Sequence, residues 1–273
     1  MVIYIAWHNL KQPLVNSISD LKFGGTFMKM DLRTKAKLLL FLLAALVCVT
    51  AVFAILAVPE AIDWYKVMTG KKSMRGFNGF NLILYLGVIS AIARALKYIY
   101  PKYKIYQSGI SGENRASHEL DKLRDSYEVL SNVKLDFDGE RAEFDFIVIG
   151  TNGVFIVENK NYNGTIEGHA DSDKWVQKKV GQGGTPYSNT IYNPIFQLKR
   201  EIYILANYLK ANGINVYVTG FVYFSNYYAN LKITGDSEYI ASVQQKDLCD
   251  KIRNYRGRNT LDRNLINKIV KLL

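Results

Sequence analysis

Twenty-one consecutive residues without a charge, "LLLFLLAALVCVTAVFAILAV" from Leu38 to Val58, restrict this chain more than any other feature. A helix rising ~1.5 Å per residue needs ~20 residues to cross a ~30 Å hydrocarbon layer, so the run has the length and composition of a membrane span. A buried core helix seldom stays free of charge for so long. The run starts nearly forty residues into the chain and is too long for the apolar region of a secretory signal, which argues against a cleaved leader. A second run, "GFNGFNLILYLGVISAIA" from Gly76 to Ala93, is 18 residues long and carries two asparagines and three glycines. It is read as the second span of a hairpin, with an interfacial or re-entrant segment as the alternative.

Basic residues near the span ends give an orientation. Lys29, Arg33, Lys35 and Lys37 precede the first run, and Arg94, Lys97, Lys102 and Lys104 follow the second; the connecting loop carries Lys66, Lys71, Lys72 and Arg75. The excess at the outer ends predicts a hairpin in a cell membrane with both termini in the cytoplasm, and the Lys-, Asn- and Ile-rich usage suggests a bacterial inner membrane. The expected organisation is an N-terminal extension over 1–35, a transmembrane hairpin over 36–96 and a basic, tyrosine-rich juxtamembrane linker over 97–110. A soluble domain over 111–255 and a C-terminal helix over 256–273 follow. "MKMDLRTKAK" from Met28 reads like a natural start, so residues 1–27 are expected to be an upstream extension of the reading frame.

Net charge supports this division. Residues 1–110 hold 14 Lys and Arg against 4 Asp and Glu, a net +10, whereas residues 111–273 hold 21 against 20, a net +1. The overall +11 is therefore a property of the N-terminal part and does not argue that the soluble domain binds nucleic acid. Cys48 and Cys249 stand far apart, and His8, His118 and His169 have no ligand-like spacing. Neither a disulfide nor a zinc site is expected.

From Ser111 the pattern is that of an α/β domain. "SGENRASHELDKLRDSYEVL" reads as a helix with Ser111 as its N-cap, and "AEFDFIVIG" and "VFIVENK" as two strands joined at Thr151-Asn152-Gly153. "TIEGHA" and the stretch around Trp175 continue the sheet loosely, and Gly181 to Asn189 reads as a flexible glycine-rich loop. A helix follows from Asn193 with Pro194 in its first turn, then a buried strand from Val216 and a helix at "QQKDLCDKIRNY". Alternating helices and strands imply a mixed central sheet flanked by helices.

Asp145, Glu158 and Lys160 interrupt the otherwise apolar hairpin. If Asn152 and Gly153 form a type I′ turn, Asp145 lies opposite Lys160, Ile147 faces Glu158, and the two carboxylates are diagonal neighbours on one face. Carboxylates held that close repel unless a cation joins them, and a small number of hard oxygen ligands suits Mg²⁺ or Mn²⁺. A lysine two residues on can reach a phosphate or an activated water, which makes an apparatus for phosphodiester hydrolysis. A surface salt bridge on an edge hairpin is the plainer reading of the same residues.

The D-x(12)-E-x-K arrangement in a strand-turn-strand setting resembles the core of the PD-(D/E)xK nuclease superfamily, and the longer pattern resembles its nuclease-related domain, NERD. The matching pieces are "SGENRASHELDKL", "YEVLSNVKL", "AEFDFIVIGTNGVFIVENKNYNGTIEG", Trp175, "NPIFQLKREI" and "VTGFVYFS", over roughly residues 109–255. The resemblance implies a restriction-endonuclease-like fold, Asp145 and Glu158 as metal ligands and Lys160 as the catalytic lysine. It further implies Glu113, or Glu119 in its place, as an acid on the first helix, and Gln197 bordering the cleft. Phe146 and Asn159 depart from the residues usual beside the aspartate and between the glutamate and lysine. Lys174, Lys178 and Lys179, with Lys199 and Arg200, are the expected contacts to nucleic acid, DNA above all. The competing expectations are an inactive nuclease-fold module binding nucleic acid or protein at the membrane, and a two-helix membrane adaptor.

Overall fold

The computed structural model describes residues 30–73, 79–181, 183–235, 238–257 and 260–273. The expected extension over 1–27, Arg75 and the first residues of the second apolar run lie outside the described residues. The chain divides into two compact units, Met1–Gln107 and Ser108–Leu273.

Among its described residues the first unit holds one long helix and most of a second, which continues past Gln107. Helix α1 spans Leu32–Met68, and its apolar side chains from Leu38 to Val58 are largely exposed. It continues through Pro59, a residue tolerated in apolar helices where local adjustment satisfies the freed carbonyl. Helix α2 spans Phe80–Leu120 and carries Pro101. Both are long and apolar enough to cross a membrane. Ser111, expected as an N-cap, lies inside α2, and the tyrosine-rich stretch over 97–110 is helical as well.

The second unit contains two sheets. Sheet A has the order β1-β2-β3-β7-β9, formed by Glu128–Phe137, Glu140–Gly150, Gly153–Lys160, Val218–Phe224 and Ile240–Ser242. β1, β2 and β3 form an antiparallel meander, and β3, β7 and β9 run parallel. Both faces are covered, as the near-continuous apolar runs "FIVIG" and "VFIV" require. On one face Ile147, Ile149, Val154 and Ile156 pack with helices α3 (Pro194–Ala211) and α5 (Arg263–Leu272). On the other, Val148, Phe155 and Val157 meet the end of α2, through Ala116 and Leu120, and helix α4 (Leu248–Arg253). α3 is capped by Asn193, whose side chain accepts from the Ile195 N–H, with Pro194 following.

Sheet B, of order β6-β5-β4-β8, was legible only in part. Gly164–His169, Lys174–Val180, Pro186–Tyr192 and Ala229–Thr234 form it. The region read as a flexible loop to Asn189 is, from Pro186 onward, strand β6, paired residue by residue with β5. Its side chains are almost all exposed, so it lacks the apolar alternation that marks a strand in sequence. Trp175 is a core residue: it is fully buried, stacks near Phe224 and donates from its indole nitrogen to the His169 carbonyl.

Candidate active site at the splayed end of a hairpin

The turn between β2 and β3 differs from the expected type. Gly150 pairs with Gly153 and Phe146 with Val157, so Thr151 and Asn152 form the loop and the register is shifted by two from the expected one. Ile147 faces Ile156, not Glu158. Neither Thr151 nor Asn152 takes a positive φ, which a type I′ turn demands; Gly153 does, at 151°. Tertiary bonds explain the choice. The Asn152 amide donates to the carbonyls of Ile252 and Tyr255, and the Thr151 carbonyl accepts from the Leu261 N–H, so the loop is shaped by what packs over it.

A shift of two preserves the parity of each strand, so Asp145, Glu158 and Lys160 still share a face. The ladder stops at Phe146–Val157, and continuing its register by one step sets Asp145 opposite Glu158. There the strands part. Asp145 Oδ2 accepts from the Asn159 N–H at 2.9 Å, and on its other side the β1 ladder skips Asn132, whose φ is 54°. The aspartate thus sits where its strand has lost regular pairing on both sides.

Helix α3 closes the cluster from above. Gln197 donates from Nε2 to Glu158 Oε1 and to Glu201 Oε1, each at 2.8 Å, and its Oε1 accepts from Lys160 Nζ at 2.9 Å. Lys160 Nζ also meets Glu158 Oε1 at 2.6 Å. The Lys160 bond fixes the amide orientation, because a flipped amide would turn its NH₂ toward the ammonium and its oxygen toward Glu158. Glu201, which the sequence reading passed over, is 4% exposed beside Glu158, which is 3% exposed. The signal available was its i+4 spacing from Gln197, which places both on one helix face.

Three carboxyl groups in so little water cannot all ionise at their ordinary pH. Burial first, and then the neighbouring Glu158, push Asp145 up to about 7. The same two causes, in the same order, push Glu201 up to about 8 despite the Gln197 bond. For Lys160 burial pulls the other way, but the charge and hydrogen bond of Glu158 outweigh it and hold the ammonium above its usual value.

The arrangement is suited to a divalent cation. Glu158 Oε2 is buried with no hydrogen-bond partner, and Asp145 stands beside it with its charge disfavoured. A cation shared by these two carboxylates would satisfy the first and relieve the second. Among the described residues no group of three or more His, Cys, Asp or Glu is arranged to hold a metal. Two carboxylates suffice for Mg²⁺ when substrate phosphate and water complete the shell.

Residues 108–225 match the nuclease-related domain family, NERD. This segment is similar to a nuclease-related domain. It covers under half of the chain and includes every residue of the cluster. An uncharacterized protein of Bacillus anthracis is 39% identical to this chain over 100 residues, which is 36% of this chain and 45% of that protein. The chain thus spans less than half the length of that relative. No solved structure matches the chain.

Within the matched segment, the end of α2 brings Glu113 to the cluster, close enough for its charge to act on Asp145. Gly112 permits the approach: a Cβ there would stand 2.6 Å from Cβ of Asn161. Asn161 then ties the pieces together, bonding Arg115, Asn226 and the Ser108 backbone, while Arg115 donates to the Ser225 carbonyl. Glu119 is elsewhere. Its carboxylate is paired with Lys122 and lies near Cys249.

The five expected nucleic-acid contacts do not form one patch. Lys174 and Arg200 border a cleft of about 780 Å³ whose lining also contains Lys160 and Gln197. Arg200 is paired there with Glu140 at 2.8 Å. Lys178 and Lys179 border a separate depression on sheet B, and Lys178 is ion-paired with Glu167. Lys199 lies over the ring of Tyr239 at 5.4 Å.

Proposed function

We propose that this protein is a membrane-anchored, metal-dependent phosphodiesterase that hydrolyses nucleic acid, with DNA as the expected substrate and Mg²⁺ or Mn²⁺ as its cofactor. The observation that carries this reading is the buried, unpartnered Glu158 Oε2 beside Asp145, with Lys160 held next to both. Asp145 and Glu158 would hold the cation. When bound, it supplies Lewis-acid polarisation of the phosphodiester and compensates the two carboxylates.

The protein's own groups have distinct tasks. Of the three donors of Lys160, Glu158 and Gln197 take two, which leaves the third for a phosphate oxygen or the attacking water. Gln197 keeps the ammonium aimed, since its amide is locked by Glu158 and Glu201. Glu113 adds negative charge near Asp145 and favours a cation there. The two apolar helices are the proposed anchor, with both termini and the NERD domain in the cytoplasm.

The test is cleavage of plasmid and single-stranded DNA by the full chain in detergent, with Mg²⁺ or Mn²⁺, beside Asp145→Ala and Lys160→Ala. Cleavage by the wild type that EDTA and both substitutions abolish is the expected result. A folded wild type that is inert with either metal and binds neither by calorimetry would refute the hydrolase and leave a recognition module.

A further inference from the structure

The cleft that opens from Lys160 is walled by aromatic rings as well as by cations. Tyr192, the last residue of β6, is 80% exposed, and Phe196, in the first turn of α3, is 38% exposed. Both line the cleft, as do Tyr162 and Lys160. Lys174 Nζ stands 6.0 Å from the centroid of the Tyr192 ring, so cation and ring occupy the same wall. Rings that line a cleft beside a cation offer flat faces on which a base can stack.

We infer that this cleft binds a single-stranded nucleic acid, with bases stacked on Tyr192 and Phe196 and the backbone passing Lys174 and Arg200 toward Lys160. Two observations favour a single strand over a duplex. Stacking on a side chain requires a base whose face is free, and bases inside a duplex are already stacked on one another. Residues 111–273 carry only a net +1, with 21 Lys and Arg against 20 Asp and Glu. Duplex binding leans on neutralising many phosphates, which a balanced domain with Asp173 in the same cleft wall is poorly equipped to do. Stacking supplies affinity that does not depend on net charge. The inference rests on the hydrolase reading only in treating the bound strand as the substrate.

The test is fluorescence anisotropy of a labelled oligothymidylate and of a labelled duplex of equal length, with the full chain in detergent and EDTA so that no cleavage occurs. The single strand should bind more tightly than the duplex. Tyr192→Ala should weaken it about tenfold, the order expected for one lost stacking partner, and Tyr192→Phe should retain it. Tyr228 is 83% exposed but does not line the cleft, so Tyr228→Ala should bind like the wild type. Equal or tighter binding of the duplex, no binding of the single strand, or a Tyr192→Ala variant as tight as wild type would overturn the inference. Failure of the hydrolase looks different: single strands would bind in this Tyr192-dependent way while neither metal supports cleavage.

Discussion

Two lysine–glutamate pairs in the same domain show how burial changes what one chemical motif can do. Lys178 and Glu167 join neighbouring strands of sheet B in solvent, with Lys232 close to the same carboxylate. Lys160 and Glu158 stand two residues apart on one strand of sheet A, nearly sealed from water and roofed by α3. The exposed pair exchanges one set of partners for another at little cost, because water screens each charge. The buried pair has no such substitute, and its surroundings show it: Glu158 Oε2 lacks a partner, and burial beside Glu158 pushes Asp145 up to about 7 and Glu201 up to about 8. A cluster that is unsatisfied by itself is one a cation and a phosphate can complete.

The largest predicted contrast is in cleavage. Asp145→Ala and Lys160→Ala should each lower the metal-dependent rate by ~10²- to 10³-fold, the order seen when a preorganised group acting on developing charge is removed. Next comes stability. Lys160→Met leaves Glu158 buried without its cation and should cost about 3 kcal/mol, measured by denaturant unfolding of the full chain in detergent. Mg²⁺ at millimolar concentration should raise the Tm of the wild type and not that of Asp145→Ala, since a ligand stabilises only the state that binds it.

A smaller effect concerns pH. The ordinary pKa of Glu201 is 4.5, and in the folded protein burial raises it to about 8. Below 4.5 the group is protonated in both states and costs nothing. As pH rises from there to about 8 the unfolded chain releases the proton that the folded protein retains, so stability falls across that window. Asp145 adds a similar fall from its ordinary 3.8 to about 7. Metal-free protein should therefore lose Tm between pH 5 and 8, and Glu201→Gln should flatten the profile toward pH 8. An unchanged profile would place the titrating group elsewhere. The smallest effect belongs to the exposed pair: Lys178→Ala should shift Tm by no more than about 2 °C.

The same contrast explains what the sequence disclosed. The placement of Asp145, Glu158 and Lys160 on one face survives the change of turn, because a register error of two leaves side-chain parity intact and only an odd shift would have moved the aspartate. The turn itself was illegible. Asn152-Gly153 favours a type I′ turn locally, but Asn152 spends its amide on the α4 end and Leu261 binds the Thr151 carbonyl, contacts that lie about a hundred residues away in sequence. Glu201 was hidden for a related reason. Beside Lys199 and Arg200 it reads as part of a solvated helix face, and only the fold reveals that this turn of α3 covers the sheet at Glu158. Sheet B was obscured by its polarity, since "PYSNTIY" carries no period that distinguishes a strand from a loop.

The most direct measurement compares the two lysines in one preparation: Mn²⁺-dependent cleavage of single-stranded DNA by the full-length wild type, Lys160→Ala and Lys178→Ala. The Lys178 variant should cleave at close to the wild-type rate while the Lys160 variant should be silent. A folded Lys160→Ala protein that cleaves as fast as wild type would contradict it, because the buried pair would then be no more than a second salt bridge.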